Sequence, residues 1–217
     1  KSHSKRTTVD DNFKFDFNWQ INNEHNLKTG FDLIYHSIKN DYYTIRSNPD
    51  SSNYSPYIFT DTLTTYNDVF DATPIEFSSY IQDKMEFDAM VINVGLRFDY
   101  FNPEAYYPSE YRNPLNLISG VDTSKTLNAS SQTQISPRLG IAYQVADEAV
   151  LHFSYGHFFQ MPPFYAMYNR SDWLVPSGNF ETIMGNPNIS AEKTVSYEIG
   201  LWQRINQFMS ADINLYY

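Results

Sequence analysis

The sequence predicts an all-β protein, in which about eight antiparallel up-and-down strands form the wall of a transmembrane β-barrel. Three observations lead to this fold class. Apolar and polar residues alternate with a period of two along much of the chain. The alternating runs are about 9–13 residues long, and a tilted strand needs about 9–11 residues to cross a bilayer. Short turns also alternate with long loops, which is typical of membrane barrels.

The composition agrees with strands that have two unlike faces. Aromatic residues make up 17% of the 217 residues, yet the mean hydropathy is −0.50. Apolar side chains are therefore diluted by polar ones rather than collected in thick apolar runs. No stretch of 18 apolar residues predicts a transmembrane helix. The opening KSHSKRTTVDD lacks the apolar core of a signal peptide, so we expect the chain to begin inside a longer protein.

Charge and cysteine content exclude several classes of site. A net charge of −10 argues against a nucleic-acid partner, because such a surface needs a basic patch. The absence of cysteine excludes disulfide frameworks and thiolate zinc sites.

The first two strand pairs are predicted from alternation. The first pair is 13–20 and the strand that follows the turn Ile21–Asn26. Its apolar face consists of Phe13, Phe15, Phe17, Trp19, Leu27, Phe31, Leu33 and Tyr35. The second pair is Thr73–Lys84 and Ala89–Phe101, joined by the turn Met85–Asp88.

The third and fourth pairs follow the same rule. The apolar residues of the third pair are all odd-numbered: Leu139, Ile141, Tyr143, Val145, Leu151, Phe153 and Tyr155. Paired residues share a face, so the turn between these strands must contain an odd number of residues, and Ala146–Glu148 is predicted. The fourth pair is Thr194–Leu201 and Met209–Tyr217, with a turn at Arg204–Phe208.

The two faces of such a sheet have different surroundings. In a membrane barrel the apolar face contacts lipid and the polar face lines the lumen. We therefore expect Leu139, Ile141, Tyr143, Leu151, Phe153 and Tyr155 to face lipid, with Arg138, Gln144, His152 and Ser154 in the lumen. Aromatic residues near the run ends fit interfacial girdles: Trp19, Tyr35, Tyr100, Phe101, Tyr155, Tyr216 and Tyr217.

Three long loops are predicted at one end of the strands, at Ser37–Ala72, Asn102–Gln134 and Met161–Lys193. Such long loops are uncommon unless they are functional or disordered. They are rich in Tyr, Trp, Asn and Arg, a composition that binding surfaces use. The candidate ligand-binding residues are Tyr107, Tyr111, Arg170 and Trp173. The alternative is that these aromatic residues only pack the loops against each other.

No motif points to catalysis, a cofactor or a metal, so we expect none of the three. The sequence contains no nucleophile elbow, P-loop or HExxH motif. His152 and His157 are five residues apart on one strand, so they point to opposite faces and cannot share an ion. The acidic pairs Asp10-Asp11 and Asp147-Glu148 lie in predicted loop or turn positions, where solvated carboxylates are ordinary.

Several motifs resemble the C-terminal barrel of TonB-dependent outer-membrane receptors. The most specific is GNPNISAE at Gly185–Glu192, followed by SYEIGL at Ser196–Leu201. PRLG at Pro137–Gly140 and GLRFDY at Gly95–Tyr100 agree with it, so the likeness extends over 80–217. The loops resemble those of the branch that carries an N-terminal carboxypeptidase-regulatory-like domain.

The resemblance implies a gated transporter in the outer membrane of a Gram-negative bacterium. Residues 1–217 would form part of a 22-stranded barrel with short periplasmic turns and long extracellular loops. The loops would capture a small ligand such as a siderophore, cobalamin, glycan or peptide. Outer-membrane lipid and the TonB complex would be the other partners, the latter through a plug domain that this chain lacks.

Two alternatives remain open from the sequence. A sheet of eight strands can close on itself, which would make a small complete barrel with a structural or passive-pore role. Pairing of the first strand with the last would favour that alternative. The third possibility is a soluble β-rich binding domain.

Overall fold

The protein is dominated by one large antiparallel sheet. The computed structural model describes residues 2–47, 56–58, 67–173 and 183–217. Its elements are β1 (Ser2–Gln20), β2 (His25–Ser47), β3 (Pro56–Ile58), β4 (Asn67–Ala72), β5 (Ile75–Phe87), β6 (Met90–Asn102), β7 (Tyr106–Pro108), β8 (Thr126–Asn128), β9 (Gln132–Ala146), β10 (Ala149–Gln160), α1 (Phe164–Tyr168), β11 (Glu192–Asn206) and β12 (Met209–Tyr216). Among the described residues, no helix is long and apolar enough to cross a membrane.

The eight long strands pair in the order β1-β2-β5-β6-β9-β10-β11-β12, each antiparallel to its neighbour. This up-and-down order confirms the predicted fold class. Strands β3 and β4 pair with β2, and β7 pairs with β8 in a separate two-stranded sheet. Within the described residues β1 and β12 lie at opposite edges and do not pair, so the closed eight-stranded barrel is wrong.

The strands extend further at the long-loop end than the alternation predicts. β1 begins at Ser2 rather than Phe13, with Ser2 opposite Thr44 of β2. β2 runs on to Ser47, and β4 pairs with it from Ile38 to Tyr43, so the described residues of the predicted loop Ser37–Ala72 are in strands. Backbone pairing continues in these segments while neither face needs to be apolar, and the period-two signal is lost there.

One face of the sheet is apolar and exposed, as the prediction requires. Its paired rows cross several strands, and one of them runs through Phe15, Phe31, Ser79, Phe98 and Ile135. Phe15 is 49% exposed and Ile135 is 61% exposed. We call this face the outward face, and the opposite one, onto which the long loops fold, the inner face.

The third hairpin has the predicted face pairing but a different turn. Leu151 pairs with Tyr143 and Phe153 with Ile141, so the predicted outward set does share one face. The turn, however, is only Asp147-Glu148, because Ala146 pairs with Ala149 and the register then shifts at Val145. A β-bulge therefore supplies the odd residue that was predicted in the turn. The predicted turn Met85–Asp88 is also wrong, since the ladder continues to Phe87 and Met90.

Two of the predicted girdle aromatics have different surroundings from one another. Trp19 lies on the outward face next to the first short turn and is 52% exposed. Phe101 lies on the inner face and is only 1% exposed, so its assignment to a girdle is wrong. Its neighbour Tyr100 has the outward parity, and one residue is enough to change the face.

Glycines on the inner face let side chains meet across a strand. Gly30 pairs with Asp16 on one side and Tyr80 on the other, and the Tyr80 hydroxyl donates to Asp16 Oδ1 at 2.7 Å. Gly200 lies in the same way between His152 and Asn214, whose side chains are 2.9 Å apart. A Cβ at either glycine would occupy the space that the bridging side chains use.

Lipid contact of the outward face can be tested with two neighbouring positions. The chain contains no cysteine, so Phe15→Cys and Lys14→Cys each introduce its only thiol. In bilayers, a nitroxide at position 15 should be more accessible to oxygen than to a water-soluble nickel complex. The label at position 14 should show the reverse preference, because this residue lies on the polar inner face. Equal accessibilities at the two positions would contradict the assignment of faces.

Gly30→Ala should destabilise the folded barrel by about 1–3 kcal/mol, because the added methyl overpacks a tight site. A Cβ at position 30 would lie 2.6 Å from the Phe15 carbonyl oxygen and 2.7 Å from Asp16 Oδ1. Gly140→Ala is the matched control, since its Cβ would meet only Asn93 Cβ at 3.8 Å. Urea unfolding of the complete barrel in lipid vesicles measures both, and equal losses would refute the bridging role of Gly30.

Candidate ligand-binding site at the long-loop end

The inner face becomes apolar at the long-loop end and is covered by loops. Five buried residues form the centre of this region: Ile38, Phe70, Phe101, Met167 and Tyr168. They come from β2, β4, β6 and α1, so the segment after β10 folds inward over the sheet. β10 ends at Gln160, and Pro163 precedes the first turn of α1, as expected where two consecutive prolines remove ladder donors.

Residues 185–189 hold this loop in place. The Gly185 N–H donates to the Asn169 carbonyl at 2.6 Å, and the Asn186 N–H donates to the Ala166 carbonyl at 2.9 Å. A Cβ at position 185 would lie 2.5 Å from the Met167 carbonyl oxygen, so only glycine fits. The GNP motif is therefore an anchor between the end of α1 and the start of β11.

Tyr107 and Tyr111, two of the predicted ligand-binding residues, bond to the same motif. The Tyr111 hydroxyl donates to Asn186 Oδ1 at 3.1 Å, and Asn188 Nδ2 donates to the Tyr107 hydroxyl at 3.4 Å. Burial raises the pKa of Tyr111, and the neighbouring Tyr107 raises it further. The Tyr111 phenol thus keeps its proton at neutral pH. Both contacts are within the chain, which agrees with the packing alternative for these two rings.

Arg170 is buried rather than open to the loop surface. It is 6% exposed and has a φ of 51°, and its backbone N–H donates to Asp68 Oδ1 at 3.0 Å. Burial raises the pKa of Asp68, and the backbone bond and charge of Arg170 partly offset that effect. Arg170 therefore links the loop after α1 to β4, and a ligand-binding role for it stays a prediction.

Trp173 lines a cavity of about 380 Å³ at this end of the sheet. Four aromatic residues line the cavity, Phe70, Tyr106, Tyr168 and Trp173, together with Asp71, Ala72, Glu104, Ala105, Thr126 and Ser171. The Tyr168 hydroxyl donates to the Pro103 carbonyl at 2.8 Å, and its ring is buried in the cavity wall. Rings and hydroxyl groups of this kind can stack on and hydrogen-bond to an organic ligand.

Trp173 is the predicted residue among those named, and the three other aromatic residues were not predicted. Tyr106 is 61% exposed, whereas the predicted ligand-binding residue is its neighbour Tyr107. A dense run of Tyr does not reveal which ring faces outward. Phe70 was assigned to a loop, and Tyr168 has no distinguishing neighbours in the sequence. The sequence does carry a signal for Phe70. Asp68, Phe70 and Ala72 are all even-numbered, so they share one face if this segment is predicted as a strand.

A second cavity, of about 320 Å³, lies on the inner face beside this region. It is lined by acidic residues, Asp32, Glu76 and Asp99, and by Arg97. Arg97 Nε donates to Asp99 Oδ1 at 2.7 Å, so the cation is tied to one carboxylate. This wall is polar and charged, as predicted for a lumen.

The described residues contain no group of three or more His, Asp or Glu side chains that could hold a metal ion. His36 has protein partners instead. Its Nδ1 lies 2.7 Å from Asp10 Oδ1, and its ring packs edge-on against Phe164 with 5.0 Å between centroids. His36 therefore connects β1 and β2 to the loop of α1.

Comparison with known proteins identifies relatives of the whole segment. A family model described as "TonB dependent receptor-like, beta-barrel" matches residues 2–217. A search of curated protein sequences gives no match.

Solved structures share the fold over 99% of this chain. The copper transporter OprC has a TM-score of 0.61 at 14% identity, with 30% of its own chain covered. The FrpB iron transporter of Neisseria meningitidis has a TM-score of 0.59 at 18% identity, with 29% of its own chain covered. The third structure is a double mutant of the Serratia marcescens hemophore receptor HasR in complex with its hemophore HasA and heme. Its TM-score is 0.59 at 14% identity, with 33% of its own chain covered. The chain thus spans about a third of these proteins.

Tyr111→Phe should loosen the anchor by about 1 kcal/mol, because it removes one hydrogen bond to Asn186 and keeps the ring. Amide hydrogen exchange of residues 185–191 should become roughly five-fold faster. Tyr165→Phe is the control, since this ring is 59% exposed at the same end of the sheet. Unchanged exchange in Tyr111→Phe would contradict an anchoring role for the Tyr111–Asn186 bond.

Proposed function

The chain belongs to the family of TonB-dependent receptor β-barrels, and from this premise we propose that it forms part of the wall of a ligand importer. Residues 1–217 would be a partial barrel domain of an outer-membrane receptor in a Gram-negative bacterium. The receptor would bind a scarce ligand at its extracellular loops and import it with energy supplied through TonB.

The observation that carries this proposal is the inward folding of the α1 segment. Together with β2, β4 and β6 it covers the inner face at the long-loop end with apolar and aromatic side chains, and it borders a cavity beside Trp173. A receptor needs a surface that retains its ligand, and such a cavity provides one. The exposed apolar outward face provides the contact with outer-membrane lipid.

The ligand we propose is a small organic molecule, of the class of siderophores, cobalamin, glycans or short peptides. OprC and FrpB are named for copper and iron, and HasR for a hemophore complex that contains heme. The described part of this chain offers aromatic rings and hydroxyl groups in its cavity and lacks a cluster of metal-ligating side chains. The TonB complex would act through a plug domain surrounded by the polar inner face.

Ligand import can be tested in a strain that lacks the chromosomal gene and carries the complete receptor on a plasmid. Uptake is measured with four labelled probes: a ferric siderophore, cyanocobalamin, an oligosaccharide and a peptide. Wild-type receptor should restore uptake of one probe class, and a protonophore should abolish that uptake.

Trp173→Ala should lower binding of that probe roughly ten-fold or more, because aromatic anchors dominate binding surfaces. Tyr165→Ala, which removes an exposed ring outside the cavity lining, should leave binding unchanged. Uptake that persists without a proton gradient would overturn energised import. Equal binding by the two variants would remove the cavity from the site.

A further inference from the structure

Asp83 carries a carboxylate on the face of the sheet that contacts lipid. It lies on β5, where it pairs with Leu27 of β2 and Val94 of β6, and its parity places it with Ile81 on the outward face. The short turns mark one limit of the membrane part of the outward face, and the rows of Tyr35 and Tyr155 mark the other. Between these limits, the described outward positions of the eight long strands carry two ionisable side chains other than Tyr, namely His25 and Asp83. Charged groups on a lipid-facing wall cost free energy that depends on depth, so their presence calls for a partner.

His25 is one partner of this carboxylate. His25 Nδ1 lies 2.7 Å from Asp83 Oδ2, and the two side chains are 33% and 22% exposed. The other carboxylate oxygen, Oδ1, is buried and has no hydrogen-bond partner among the described residues. Because Oδ1 is inaccessible, a group arriving from the membrane can meet only the rest of this partly exposed pair.

An apolar groove of about 510 Å³ starts at Asp83 and continues along the outward face. Its apolar walls are Leu27, Ile81, Val94, Leu96, Pro137, Leu139 and Tyr155, and Gln82, Gly95 and Arg138 also line it. Pro137 and Val94 are shorter than the leucines beside them, which leaves the depression. The groove passes from Asp83, near the short turn of its hairpin, to Tyr155 in the middle of β10. It thus leads from the membrane surface towards the bilayer centre, because strands of a barrel are tilted.

The depth of Asp83 corresponds to a headgroup. Its row on the sheet begins with Trp19, next to the first short turn, and continues through Leu27 to Asp83. Tryptophan is enriched where acyl chains meet headgroups. An acyl chain in the groove would therefore place its own headgroup beside the His25–Asp83 pair.

We propose that this groove is a binding site for one phospholipid with a primary-amine headgroup, from the leaflet at the short-turn end. The ammonium group supplies a cation for the exposed part of the Asp83 side chain, and the acyl chain fills the groove beside Val94 and Pro137. A phosphatidylglycerol headgroup has the same phosphate and only neutral hydroxyl donors, so it pairs more weakly with the carboxylate. The site lies away from the long-loop cavity and does not depend on which ligand is imported.

The test uses the complete receptor in nanodiscs with equal amounts of phosphatidylethanolamine and phosphatidylglycerol. Native mass spectrometry measures which lipids remain bound after release. The wild-type receptor should retain phosphatidylethanolamine about five-fold over phosphatidylglycerol, the ratio given by about 1 kcal/mol for one partly exposed ion pair. Asp83→Asn should abolish this preference, and Asp83→Glu should keep it.

Two further variants keep the test decisive if Asp83→Asn fails to insert. Val94→Phe fills the groove without changing charge, and it should reduce retention of both lipids. Asp212→Asn makes the same charge change on the inner face, where it should leave the preference at the wild-type value. Equal retention of the two lipids by the wild-type receptor would overturn the site, and so would retention of both lipids at the wild-type level in Val94→Phe.

Discussion

The pairing of backbone groups is the constraint on which the rest of this structure depends. Within hydrocarbon every backbone N–H and C=O must find a partner in the protein, since each unpaired group costs several kcal/mol. The ladder from β1 to β12 meets this condition for each interior strand. The two edges of the sheet do not, and they need the neighbouring strands that a larger closed barrel supplies. The continuous antiparallel pairing of the interior strands follows from this requirement.

The division into two faces follows from the same ladder. Because the side-chain period is two, each strand presents apolar residues to lipid and leaves the other half of its positions for the lumen. The inner positions carry the polar side chains, which hydrogen-bond to one another across the strands. Gly30 and Gly200 show how this is done, because a strand without a side chain lets Tyr80 reach Asp16 and His152 reach Asn214.

The sequence predicts best the part of the fold that lies in the membrane. There one face must be apolar, so the alternation of residues such as Phe13, Phe15 and Phe17 reports both strand and orientation. Outside the membrane that condition ends, and the strand residues 2–12 and 37–47 could not be recognised from their polar composition. The turn at Asp147-Glu148 is one residue shorter than predicted for another reason. Parity fixes only the sum of turn and bulge residues, so it cannot separate a three-residue turn from a two-residue turn with a bulge at Val145.

The sequence contains a signal for the candidate site that the predictions above do not use, namely the position at which apolar residues change from one face of a strand to the other. On β2 the outward residues Phe31, Leu33 and Tyr35 are apolar or aromatic, and the next large apolar residue, Ile38, is on the inner face. β6 makes the same change between Tyr100 and Phe101, and β10 makes it between Tyr155 and Phe158. Such a change of face marks the height at which lipid ends and the inward-folded loops begin. The loops pack there because the wall has become apolar on its inner side. The aromatic cavity is therefore a consequence of the face change in the strands as much as of the loop sequences.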